Sequence, residues 1–120
     1  MSDMYFEAIH SGDLKIISEN PQFKNTKDKY GMTPPCIASY FGNLTALKCL
    51  VDDIGSSLEP SQNNWTALHH AAYFGDIEIV KYLINKGLNP SALTDTGKTP
   101  LDYAVQNNNT SVIEYLKEAF

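Results

Sequence analysis

The sequence predicts an all-α solenoid of stacked helix-turn-helix units with projecting turns or β-hairpins, and three observations carry that prediction. The run Thr66-Ala67-Leu68-His69-His70-Ala71-Ala72-Tyr73-Phe74-Gly75 begins again 33 residues later at Thr99-Pro100-Leu101. The same interval upstream gives Thr33-Pro34-Pro35, and Tyr40-Phe41-Gly42 returns as Tyr73-Phe74-Gly75. A fixed period of this length marks units that each bury an apolar face against their neighbours, rather than one closed core. On this reading residues 1–120 form one domain of four units, at about 3–29, 30–62, 63–95 and 96–120.

The first unit is the least regular, as befits a terminal cap. Asp3 is placed to cap a helix through Ile9, Gly12 turns the chain, and Asp13 caps a second helix with Leu14 and Ile17 facing inward. Pro21 stops that helix. Gly12 to Thr33 is 21 residues, against 24 from Gly42 to Thr66 and from Gly75 to Thr99, so the first outer turn must be shorter or reshaped.

In the later units Thr33, Thr66 and Thr99 are N-caps, and Pro34 and Pro100 sit at the first helical position, where no N–H is needed. Each first helix is short and ends near Gly42, Gly75 or Asn108, the asparagine being tolerated because it enters the left-handed region more easily than most residues. Ala38, Ala71, Ala72 and Ala104 let layers approach, while Leu68 and Leu101 supply bulk. Pro35 replaces that leucine in the second unit, which predicts a weaker or distorted helix there.

Asn43, Asp76 and Asn109 then open the second helices. Behind them come apolar stripes at helical spacing: Leu44, Leu47, Leu50 and Val51; Ile77, Val80, Leu83 and Ile84; Val112, Ile113 and Leu116. Gly87 suits a left-handed helix end, with Asn89 to Lys98 as the projecting segment. One period earlier Gly55 stands one residue late, so that helix end shifts by one. Glu114, Lys117 and Glu118 give the last helix a polar outer face.

The pattern Thr-Pro-Leu-His-x-Ala-Ala, then Gly, a Val/Leu/Leu helix and a Gly turn, resembles the ankyrin repeat, whose period is 33 residues. Thr66-Ala67-Leu68-His69-His70-Ala71-Ala72 departs from it only at Ala67, and the resemblance spans nearly the whole chain in three registered copies. It implies a stack that binds other proteins through inner helices and turn tips lining a concave groove. It also implies that His69 is a structural histidine bonding the loop and threonine region, with Cys36 and Asp102 at the equivalent positions.

Helical spacing puts Ile37, Tyr40 and Phe41 on one face, His70, Tyr73 and Phe74 on the equivalent face of the next unit, and Tyr103, Gln106 and Asn107 beyond them. The tips add Tyr30, Met32, Asn63, Trp65, Thr96 and Lys98. The candidate contact residues are therefore Tyr30, Met32, Tyr40, Phe41, Asn63, Trp65, His70, Tyr73, Phe74, Lys98 and Gln106, since clustered aromatics bury much area at little rotamer cost. The competing reading, rings that only plug gaps between units, applies most to Phe41 and Phe74.

A net charge of -5 without a block of like charges gives no electrostatic footprint for nucleic acid, and favours a protein partner with a basic, partly apolar patch. No run of 18 apolar residues exists and the N-terminus lacks a signal-peptide pattern, so a monomer in cytosol or nucleus, with no membrane contact, is expected. Cys36 and Cys49 lack metal-type spacing and are expected as reduced, buried thiols.

The sequons at Asn43, Asn64, Asn108 and Asn109 are by-products of cap and turn chemistry. No cofactor, metal or catalytic set is expected. The alternative, a nucleotide- or metal-dependent enzyme or switch, would use Gly97-Lys98-Thr99 or the histidines. Ala92 to Thr99 does match a loosened phosphate loop, but it follows a polar turn rather than a buried strand. Adjacent His69 and His70 point about 100° apart on a helix, which suits no shared ion.

Overall fold

The computed structural model describes residues 2–119. These form four antiparallel helix pairs and no strand: α1 (Ser2–Ser11) with α2 (Leu14–Glu19), α3 (Pro34–Tyr40) with α4 (Leu44–Lys48), α5 (Ala67–Phe74) with α6 (Ile77–Asn85), and α7 (Pro100–Gln106) with α8 (Thr110–Ala119). The stack measures 40 × 25 × 22 Å, the long axis running along the repeats. The first helices α1, α3, α5 and α7 pack side by side as one layer, and the second helices form the other.

Capping chemistry fixes where each helix starts. The hydroxyls of Thr33, Thr66 and Thr99 accept N–H groups from Cys36, His69 and Asp102, while Asp13, Asn43 and Asp76 accept from Ile16, Ala46 and Ile79. Asp3 does not cap: α1 already starts at Ser2, and Asp3 lies in its first turn, where a carboxylate still favours the helix dipole. Pro35 brings no weakness either. It sits at the second helical position, still within the first turn whose N–H groups have no helical acceptor, and α3 is as long as α7.

The core lies between the two layers. Ala38, Ala71, Ala72 and Ala104 are fully buried, as are Ile17, Leu47, Leu50, Leu68, Val80, Leu83 and Val112. Leu101 is only half-buried in the last unit, and Leu14 is 37% exposed, α2 turning Ile17 fully and Ile16 partly inward instead. Ile37, expected on the open face, is core at 3% exposure. Glu114, Lys117 and Glu118 point to solvent as the sequence requires of a terminal helix.

The late Gly55 is absorbed inside the helix. After α4 the chain widens into a π-helical turn over Cys49–Asp53, the Ile54 N–H reaching back five residues to the Cys49 carbonyl. Such a turn is one inserted residue. The α6 end has no insertion: Gly87 at φ +95° closes it, with Gly87 N–H on Ile84 O and Leu88 N–H on Leu83 O.

The projecting tips are turns rather than hairpins. Each closes by one N–H to carbonyl bond across four residues, Asp28 to Met32, Ser61 to Trp65 and Thr94 to Lys98, and the tips join through Gln62 N–H on Gly31 O and Asp95 N–H on Asn63 O. A second set of ties runs along the opposite edge. The Asn43 amide donates to Ile9 O, and the Asn109 amide donates to Ala72 O and Tyr73 O at 2.7 and 2.8 Å. Asn109 lies so close to the turn before α6 that a Cβ on Gly75, at φ +76°, would stand 2.9 Å from its Cγ. Only glycine suits that turn.

Candidate functional site: an aromatic concave face

Rings from all four units touch in sequence along the first-helix layer. His10 stacks on Phe41 with centroids 3.9 Å apart, Phe41 meets Tyr40 at 5.0 Å, Tyr40 meets Phe74 at 4.8 Å, and Phe74 meets Tyr73 at 5.0 Å. Tyr73 continues to Trp65 at 6.0 Å, and Trp65 lies over Tyr103 at 4.3 Å. Most of these pairs are edge-on or tilted, the arrangement that ring quadrupoles favour. Tyr40, Phe41 and Phe74 remain 42%, 46% and 47% exposed. That much open aromatic surface is unusual unless something covers it.

Between the second and third units this row encloses an open hollow of about 530 Å³, lined by Tyr30, Met32, Tyr40, Ser61, Gln62, Asn63, Trp65, His70, Tyr73 and Phe74. The periodicity accounts for it. Residues 40, 73 and 74 end first helices at matching positions, while 30–32 and 61–65 are matching tips, so helix ends and tips form opposite walls.

The two adjacent histidines have opposite surroundings. His69 is fully enclosed: its Nδ1 accepts the Thr66 N–H at 3.1 Å, and its Nε2 faces the carbonyls of Ala92 and Lys98 at 3.0 and 3.1 Å. That set of partners fixes the proton on Nε2. Burial holds its pKa below the ordinary value, although the two carbonyl bonds pull the other way. His70, one residue on, is 8% exposed between Tyr40 and Trp65, and its Nε2 finds no partner among the described residues. Burial first, and His69 beside it second, push its pKa down to about 4. It is a neutral imidazole at the wall of the hollow.

The profile of ankyrin repeats in three copies matches residues 6–94 and, in a second register, 37–119. The chain belongs to the ankyrin-repeat family. Ankyrin repeats are as a rule interaction modules that bind other proteins rather than catalytic domains. The chain is 33% identical over 103 residues to a transient receptor potential cation channel subfamily A member 1 homolog of Caenorhabditis elegans, a match covering 86% of this chain and 8% of that protein. It is 32% identical to ankyrin repeat and SAM domain-containing protein 6 of Rattus norvegicus, covering 86% and 12%, and 34% identical to calmodulin-binding transcription activator 3 of Arabidopsis thaliana, covering 93% and 11%. The chain thus spans about a tenth of the length of these relatives.

Within the ankyrin stack the expected contact residues divide. Tyr30, Met32, Tyr40, Asn63, Trp65, His70, Tyr73 and Phe74 come together around the one hollow. Phe41 faces a neighbouring hollow of about 420 Å³ with His10 and Ile37, on the side of the first unit. Lys98 and Gln106 are exposed and line neither. Lys98 instead serves through its carbonyl, which holds His69.

Tyr103 is buried beneath Trp65, and Asn107, which stays exposed, gives its amide to Tyr73 O at 2.7 Å. Ser61 and Gln62 went unforeseen. Their signal was positional, since they precede Trp65 in the tip as Asp28 and Lys29 precede Met32 one repeat earlier.

The Gly97-Lys98-Thr99 segment is a tip turn. Gly97 N–H bonds back to Thr94 O, and Thr99 caps a helix of seven residues. Among the described residues no three His, Cys, Asp or Glu side chains gather as a metal set, and no helix is long and apolar enough to cross a membrane. Cys36 and Cys49 are buried free thiols, pushed up in pKa chiefly by burial.

Proposed function

We propose that this ankyrin stack binds a partner protein through its concave aromatic face and acts as an adaptor or regulator by holding or covering that partner. The observation that carries the reading is the hollow between the second and third repeats, walled by rings that none of the described residues covers. Rings already ordered against one another lose little rotamer freedom on binding, which makes them effective anchors. The excess of carboxylates in the chain favours a basic, partly apolar patch on the partner.

The test is a Tyr40→Ala/Phe74→Ala chain. Both rings are nearly half exposed and lie outside the core between the layers, so circular dichroism should show the natural fold. A partner captured by the natural chain should bind this variant at least about tenfold more weakly by surface plasmon resonance. Equal binding of every captured partner to the two chains would place the interface elsewhere.

A further inference from the structure

We propose that the hollow between the second and third repeats takes a tyrosine side chain of the partner, and that the adjoining hollow takes an arginine or lysine about three residues away on the same extended segment. This rests on the concave-face reading and narrows it to one kind of ligand.

The first argument is His70. Its imidazole is more than nine-tenths buried at the wall of the main hollow, with Nε2 unpartnered among the described residues, so its desolvation goes uncompensated until a partner arrives. A neutral imidazole offers one donor and one acceptor, and a phenol hydroxyl is both, so it serves either tautomer. Histidine's χ2 well is broad, which lets the ring turn to meet the guest. No charged side chain lines this hollow, so an ionic guest would find no counter-charge there. Tyr40, Trp65 and Phe74 offer faces and edges to a further neutral ring.

The second argument is the neighbouring hollow, which shares Tyr30 as a wall and sets the carboxylates of Asp3, Glu7 and Asp28 against the single ammonium of Lys29. Asp28 spends Oδ1 on the N–H groups of Tyr30 and Met32, and its other oxygen remains for a cation. The two hollows are one repeat apart. Packed helices lie about 8–10 Å apart and an extended chain advances about 3.3 Å per residue, which gives the spacing of about three residues.

The test uses the full chain and pools of fluorescein-labelled decapeptides with Tyr fixed and Arg three residues to either side, read by fluorescence polarisation. Pools with Phe for Tyr should bind about fivefold more weakly, as one hydrogen bond requires. Pools with Gln for Arg should also bind more weakly, and that difference should fade with added salt.

In a His70→Leu chain the Tyr-over-Phe preference should vanish while the Arg preference stays, and Asp3→Asn/Glu7→Gln should do the reverse. Leucine replaces a buried unpartnered polar group, so that variant should fold. His70→Gln, which keeps a polar group, should retain part of the Tyr preference and serves as the check. Equal binding of the Tyr and Phe pools, best binding by a pool with Lys at the anchor, or binding by none overturns the proposal. The concave-face reading survives each of those results if captured proteins still lose affinity for Tyr40→Ala/Phe74→Ala.

Discussion

Replacing His69 by alanine is expected to lower the stability of the stack by about 3 kcal/mol, the cost of unpaired buried groups plus a cavity. The imidazole holds three backbone groups at once: the Thr66 N–H on one nitrogen, and the carbonyls of Ala92 and Lys98 on the other. It thereby ties the tip of the fourth repeat to the first helix of the third. The equivalent residues do much less, since the Asp102 side chain accepts the Thr99 N–H within its own turn and the Cys36 thiol stands 3.7 Å from Trp65 O. Urea unfolding followed by circular dichroism reads the change directly. A loss below about 1 kcal/mol would show that water fills the site and meets the same groups.

The second expectation is a fall in stability of about 2 kcal/mol between pH 7 and pH 5, carried mostly by His70. Its pKa in the folded chain is about 4, against an ordinary value of 6.5. Between those values the unfolded chain binds the proton and the folded chain does not, so stability declines as pH falls from about 6.5 toward 4 and is fully present above that window. His69, also held low by burial, acts in the same direction. His70→Leu should flatten most of the dependence. A natural chain whose urea midpoint does not move between pH 7 and pH 5 would mean that the imidazole protonates in place, with its ring turned to solvent.

The two histidines also show where sequence stops being informative. Threonine caps, first-turn prolines, small residues between layers and the left-handed turns at Gly75 and Asn108 are local: backbone chemistry within a few residues dictates them. Helical spacing likewise put Tyr40, Tyr73 and Phe74 on one face. It could not tell Ile37 from Tyr40, since both lie toward that face and only the neighbouring unit decides which is covered. Spacing also placed Tyr103 on the binding row, whereas Trp65 lies over it. The π-helical turn before Gly55 was visible as an offset of one residue, but not as a widened coil, because an insertion can be taken up in a helix or in a turn with the same sequence count.

The ties along the edge opposite the tips are unequal. An asparagine amide crosses from the second repeat to the first and from the fourth to the third, but the matching residue in the third repeat is Asp76, whose carboxylate has nothing to donate. The seam between the second and third repeats is therefore fastened at the tips, by Gln62 on Gly31 and by the Thr33 N–H on Ser61, and between the ends of the second helices by the Lys86–Asp52 ion pair, but lacks an asparagine tie at its far edge. At that edge hydrogen bonds therefore join the repeats in two pairs, first with second and third with fourth. The main hollow lies at the junction of the two pairs, where α3–α5 packing and the tip bonds, rather than an edge tie, set its width.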